Sequence, residues 1–153
     1  MREETIGKQP ADTLFKLPCA CQNLRRLSRI VTRIYDQELR KAGVEVTQFG
    51  VLTALAATGE TNQKRLSAGL AMDSTTLTRT LRLIRRQGWV RVRRGKDRRE
   101  RLFGLTRAGK SHLAEAQPHW ERAEHRLRKE LGDAGWKNMK ETVACMTESA
   151  MAA

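Results

Sequence analysis

Residues Asp73 to Gly109 read DSTTLTRTLRLIRRQGWVRVRRGKDRRERLFGLTRAG, and the change of period inside this stretch decides the fold. At about 100° per residue, Leu77, Thr80, Leu81 and Ile84 fall on one narrow stripe, the pattern of a helix with one buried face. Asp73 or Ser74 is the expected N-cap, and the helix is predicted to run to Gln87 and stop at Gly88. From Trp89 to Arg94 the period becomes two: Val90 and Val92 point one way, Arg91 and Arg93 the other, as in a strand with one basic face. Gly95–Glu100 supplies the turn, and Arg101–Leu105 returns as a second strand with Phe103 and Leu105 inward. Thr106 then caps a new helix.

Eleven Lys/Arg lie among the 23 residues from Arg79 to Arg101, against two acids, Asp97 and Glu100. Like charges at this density repel one another, and the balance reverses when a polyanion lies against them. Thr75, Thr78, Arg79, Arg82 and Arg86 occupy the side of the helix opposite the apolar stripe. With Ser74 and Thr76 they place short hydroxyls at the amino end and arginines further along, which suits a helix entering a major groove end-on. Arg79 and Arg82 are the candidates for bidentate contact with guanine or for a phosphate clamp. The hairpin tip, Gly95-Lys96-Asp97-Arg98-Arg99, is the second candidate contact, because arginines entering a narrow minor groove meet an enhanced negative potential. Asp97 would weaken binding if it faced phosphate, so it is expected to orient Arg79 or Arg99 through a charge-assisted bond. The plain alternative is a solvated charged face on the helix and a solvated charged turn at the tip; the continuous helix-turn-helix and hairpin weigh for DNA.

The whole chain fits this centre. Its 153 residues carry a net charge of +13 and few aromatics, which favours helix over sandwich or barrel and a nucleic-acid partner ahead of an anionic membrane surface. No run approaches the roughly 18–20 apolar residues of a membrane span. No export signal is visible, and the odd set of three cysteines has no zinc spacing, so a reduced cytoplasmic setting is expected. Residues 1–18 read as a flexible N-terminal arm and 19–150 as a single domain. A helix is expected from Cys19 to about Ala42, where Gly43 ends it. A short helix follows, capped by Thr47 and carrying Phe49, Val51, Leu52 and Leu55. Thr61–Met72 is expected as the first helix of a helix-turn-helix, and a long helix from Thr106 to about Leu131, kinked at Pro118. Gly132-Asp133 breaks the chain before a last helix, Ala134 to Ala150. The fold class is therefore mainly α with a small β wing, a winged helix-turn-helix over about 47–106 between N- and C-terminal helices.

Asp97-Arg98-Arg99 followed by Leu105-Thr106-Arg107-Ala108-Gly109 resembles the D-x-R…L-T-x-x-G wing signature of MarR-type regulators. Thr47-Gln48-Phe49-Gly50-Val51-Leu52 is similar to that family's T-x-x-Q-F-x-V-L segment. Asp73 to Arg79 resembles its recognition helix, and Gly88-Trp89-Val90 its helix-to-strand junction; the likeness covers roughly residues 20–150. It implies a homodimer built from interleaved helices, about 19–42 and 107–150, which binds a pseudo-palindromic DNA operator, usually as a repressor. It gives Arg99 the minor-groove role, with Asp97 and Arg79 as positioning partners. Ala71 departs from it, since that turn often carries glycine. The resemblance further implies a small lipophilic or phenolic effector in a crevice lined by the first helix, the Phe49/Leu52 helix and the start of the long helix. Family branches that sense peroxide carry a reactive cysteine near the start of the first helix, where Cys19 and Cys21 lie. A helix amino end favours thiolate. Two residues apart on a helix they would face differently, so a bond across the dimer, with Cys145 a candidate, is the better geometry.

The competing readings are a non-specific nucleoid or RNA-binding protein that uses charge alone, and a small enzyme. There is no Ser-His-Asp ordering, no glycine-rich phosphate loop and no pair of carboxylates on a periodic face, so neither catalysis nor a cofactor is expected. His112, Glu115 and His119 share a helix face, but His and Glu are common on the surface of charged helices, so they read as surface residues, not a metal site. Trp120 and Trp136 are expected to pack in the dimer or at the last helix pair.

Overall fold

In chain order the computed structural model places α1 at Ala20–Leu39, a 3-10 turn at Arg40–Ala42, α2 at Val46–Thr58, β1 at Thr61–Asn62, α3 at Gln63–Leu70, α4 at Ser74–Arg86, β2 at Val90–Arg94, β3 at Arg101–Leu105 and α5 at Arg107–Met151. It describes residues 18–97 and 99–151, so Arg98 and all of the expected arm except Pro18 lie outside the described residues. The chain separates into two compact units between Ile34 and Tyr35. In the first unit the described residues become helical at Ala20 and leave Leu24 and Leu27 45% and 51% exposed.

The second unit is built around the expected stripe of α4. Leu77, Thr80, Leu81 and Ile84 are all buried, and α4 packs on α2 and α3. Leu52 and Leu55 of α2 are enclosed with them, and a leucine so placed stabilises the fold by about 1.5–3 kcal/mol. Phe49 stacks on Trp120 with ring centroids 6.3 Å apart, a contact within this unit that the sequence reading did not anticipate. Trp136 lies beneath Lys140 Nζ, 5.7 Å from the ring centroid. Tyr35 is buried and donates its hydroxyl to Glu124; burial first, and that bond second, raise its pKa above the usual phenol range.

Several boundaries differ from the expectation, each for a local reason. Helix α2 begins at Val46, capped by Glu45 and not by Thr47: Gln48 Oε1 accepts from the Glu45 N–H at 3.1 Å while the Glu45 side chain accepts from the Gln48 amide. Asp36 Oδ1 takes the Val46 N–H at 2.7 Å, tying the entry to α1. Thr61 and Asn62 are not helical. They form β1, which pairs antiparallel with β3 (Thr61 opposite Phe103, Asn62 opposite Leu102) and makes a three-stranded sheet in the order β1-β3-β2. Helix α3 starts only at Gln63 because Asn62 Oδ1 caps it, accepting from the Arg65 amide at 2.9 Å.

Ala71 closes α3 in the left-handed region, φ 48°. Its N–H bonds the Ala68 carbonyl and the Met72 N–H that of Ser67, the paired closing bonds that normally recruit glycine. In α5 Pro118, where a kink was expected, lies inside the helix. The non-helical dihedrals fall at Gly132, φ 67° and ψ 167°, where the chain was expected to break. Proline's own φ is helical, so Pro118 gives up a hydrogen bond without leaving the helix. The dihedrals of Gly132 belong to a region open essentially to glycine.

Candidate nucleic-acid interface

Helix α4 is fixed by its buried face, and the opposite face carries the candidate contacts. Thr75, Thr78, Arg79, Arg82 and Arg86 are exposed there, and Ser74 and Thr76 are exposed at the amino end of the helix. The hydroxyls divide into two kinds. Thr76 donates to Asp73 Oδ2, and Asp73 Oδ1 accepts from the Thr76 amide at 2.9 Å, which makes Asp73 the N-cap. Those bonds, the hydroxyl one foremost, hold the Asp73 pKa below the ordinary aspartate value. Thr78 donates to the Ser74 carbonyl and accepts from Gln63 Nε2, both at 2.7 Å. Ser74 and Thr75 alone keep hydroxyls without a bond among the described residues.

Arg79, Arg82 and Arg86 form no ion pair among the described residues. Arg85, which the sequence reading left out, joins Arg82, Arg86 and Arg91 in lining a groove of about 430 Å³ where α4 meets β2, floored by Val90 and Val92. The stretch was legible as basic, but the groove needs the hairpin folded back beside the helix.

At the wing, Lys96, Asp97 and Arg99 are exposed. Asp97 does not grip a guanidinium of Arg79 or Arg99 as expected. Its Oδ1 accepts from the Arg99 backbone N–H at 2.9 Å and its carbonyl from the Glu100 N–H at 2.9 Å. An aspartate two residues before an amide closes its own turn more readily than it reaches a mobile side chain. Glu60 was missed altogether. Its carboxylate, 24% exposed, accepts from Arg91 at 3.1 Å and from Arg93 Nε, tethering the basic face of β2. The bond from Arg93 is the main reason its pKa lies below the usual glutamate value; burial opposes this, and Arg91 adds to it.

The L-T-x-x-G segment is a joint. Thr106 N donates to the Trp89 carbonyl at 3.0 Å and Thr106 Oγ1 to that of Gly88 at 2.7 Å, while Gly109 N donates back to Thr106 Oγ1 at 3.0 Å. A Cβ on Gly109 would stand 2.0 Å from the Trp89 oxygen, so only glycine lets α5 approach the corner between α4 and β2. His112 stacks on Trp89 at 3.8 Å, and burial lowers its pKa against the opposing charge of Glu115.

A crevice of about 500 Å³ opens between the end of α2, the wing base and the start of α5, with Leu55, Leu105 and Leu113 inside and Arg91 and Lys110 at its wall. Phe49 and Leu52 are core residues. Cys19, Cys21 and Cys145 are free thiols on exposed residues. Cys19 precedes α1, so the expectation that both cysteines of the pair sit on a helix holds only for Cys21. Among the described residues no three His, Cys, Asp or Glu side chains group to hold a metal ion, and no helix is long and apolar enough to cross a membrane.

Residues 42–100 match the model of the MarR family. The transcriptional regulator MosR of M. tuberculosis, in a structure in complex with DNA, is 34% identical, with 88% of this chain and 97% of that chain covered at a TM-score of 0.78. An uncharacterized HTH-type transcriptional regulator of Bacillus subtilis (strain 168), YwoH, is 29% identical over 92 residues, 60% of this chain and 67% of the relative. Wild-type MarR from E. coli, 19% identical with 86% of this chain and 98% of that chain covered, shares the fold at a TM-score of 0.72. With its helix-turn-helix, its wing and this likeness over most of its length, the chain belongs to the MarR family of transcriptional regulators.

Proposed function

We propose that this protein is a cytoplasmic homodimer that binds a pseudo-palindromic operator in double-stranded DNA and acts as a repressor. The observation that carries the reading is the face of α4: arginines without acid partners among the described residues, at the end of a helix whose other face is locked in the core. Ser74 and Thr75 offer hydroxyls to bases or phosphates, and Arg79, Arg82 and Arg86 offer guanidinium groups. Thr76 and Thr78 keep the helix end in shape. Lys96, Arg98 and Arg99 take the minor groove, with Asp97 shaping the turn that presents them. Exposed Leu24, Leu27, Val143 and Met146 support pairing with a second copy.

Release from DNA is assigned to a small effector or to thiol oxidation. The crevice walled by Arg91 and Lys110 suits a lipophilic or phenolic anion. Peroxide would convert two thiols, drawn from Cys19, Cys21 and the partner copy's, into a disulfide and be reduced to water.

Selection of bound duplexes from a random pool tests the central reading. The expected product is an inverted repeat with half-sites about 34 Å apart, whose binding weakens with salt by a log–log slope of about −0.9 per phosphate neutralised. Equal binding of selected and random duplex at matched salt would leave a charge-only nucleic-acid binder. Peroxide-driven release that persists in Cys19→Ser and Cys21→Ser would remove the thiols from the mechanism.

A further inference from the structure

We infer that Asn62 and Gln63 are positioning residues that hold the recognition helix and the wing tip at a set separation, and so determine which DNA shapes this protein selects. The inference rests on the DNA-binding reading above and assigns neither residue a contact with DNA.

Asn62 ends β1 and caps α3, and both halves of its amide are committed. Oδ1 accepts from the Arg65 N–H at 2.9 Å, and Nδ2 donates to Glu100 Oε1 at 2.8 Å. Only one amide atom can donate, so this orientation is the one that satisfies both partners. Glu100 is the closing residue of the wing turn. Its carbonyl accepts from Gly95 N and its own N–H donates to the Asp97 carbonyl, each at 2.9 Å. Its carboxylate fills the space beside Gly95, where a Cβ would stand 2.5 Å from Glu100 Oε2. Asn62 thus reaches the wing tip through a residue whose backbone is part of the turn.

Gln63 reaches the other way. Its Nε2 donates to Thr78 Oγ1 at 2.7 Å, with a longer approach of 3.5 Å to the Ser74 carbonyl. Because Thr78 spends its hydrogen on Ser74, Gln63 bonds to a fixed acceptor on the first turns of α4. Two consecutive side chains therefore link elements 38 and 15 residues away, one in the wing and one in the recognition helix. The Gln63 bond is exposed and the Asn62 bond is only part-buried, so each adds little to folding. Their effect falls on separation, and binding that depends on groove width and DNA bending is sensitive to separation.

The test measures the affinity ratio between the selected operator and a random duplex at matched salt, beside the thermal midpoint. Asn62→Asp keeps the oxygen that caps α3, removes the donor and sets a second carboxylate against Glu100. The ratio is expected to fall about tenfold with the midpoint little changed. Glu100→Gln in the same chain restores a donor from the opposite side and the wild-type net charge, and the ratio is expected to recover. Gln63→Ala is expected to relax preference at the base pairs under α4 and to spare those under the wing. Should Asn62→Asp fail to fold, Glu100→Ala removes the same bond from the wing side and is expected to lower the ratio likewise. A ratio unchanged in the single variants, or lost and not restored in the double, overturns the inference. Failure of the DNA-binding reading shows separately, as a wild-type protein with no preference between the two duplexes.

Discussion

Helix α4 and the β2–β3 hairpin carry similar positive charge and are held in different ways. The helix buries Leu77, Thr80, Leu81 and Ile84, and its arginines form no ion pair among the described residues. The hairpin buries Val90, Phe103 and Leu105 along its strands, and acids restrain its exposed parts as well: Glu60 on Arg91 and Arg93, Asp97 on the Arg99 amide, Glu100 on Asn62. A surface anchored by apolar burial can present bare charge, because repulsion among its arginines cannot shift the backbone. A basic strand face and turn that project from such an anchor gain from counter-charges that hold them in place. The hairpin's exposed charges are therefore tied to acids, and those of the helix are not.

The largest expected effect comes from breaking the apolar anchor. Leu77→Ala should lower stability by about 2–5 kcal/mol in urea unfolding, because Leu77 is fully enclosed. Arg99→Ala should do the reverse: an unmoved midpoint, with operator affinity weakened by about 1–3 kcal/mol in fluorescence anisotropy. Unchanged affinity would remove the wing from recognition. Below both comes Ala71→Gly. It relieves a left-handed alanine at φ 48° and should raise stability by about 1 kcal/mol, with no change in the secondary-structure spectrum. The smallest effect is at Glu60. Its pKa is depressed, so its tether is complete above the ordinary glutamate range and is lost as the pH falls through the lowered value. Amide exchange in β2, taken relative to the intrinsic rate at each pH, should rise on acidification in the wild type. In Glu60→Gln it should start higher and lose that dependence; parallel curves would show that the hairpin does not lean on this carboxylate.

What was legible in the sequence was what repeats locally. The α4 stripe, the alternation in β2 and the inward Phe103 and Leu105 each come from neighbours a few residues apart, and each is found as read. The cap of α2 was misread because threonine is the commoner capping residue, whereas Glu45 and Gln48 cap reciprocally. Strand β1 is two residues long and exists only through pairing with β3, some 40 positions on, so no local period could announce it. The same holds for Glu60 with Arg91, Asn62 with Glu100, and Gln63 with Thr78. The candidate contacts of α4 could be named from the sequence. The polar ties that aim them could not, because single polar residues at long separation carry no pattern.

The Thr106–Gly109 joint has a mechanical consequence. Hydrogen bonds from Thr106 to Gly88 and Trp89, with a glycine seated against the Trp89 carbonyl, weld the first turn of α5 to the corner from which α4 and β2 diverge. A torque on the first turn of α5 would bear on that corner and so on helix and hairpin together. Compliance must then lie elsewhere, and the nearest departure from helical dihedrals along α5 is at Gly132.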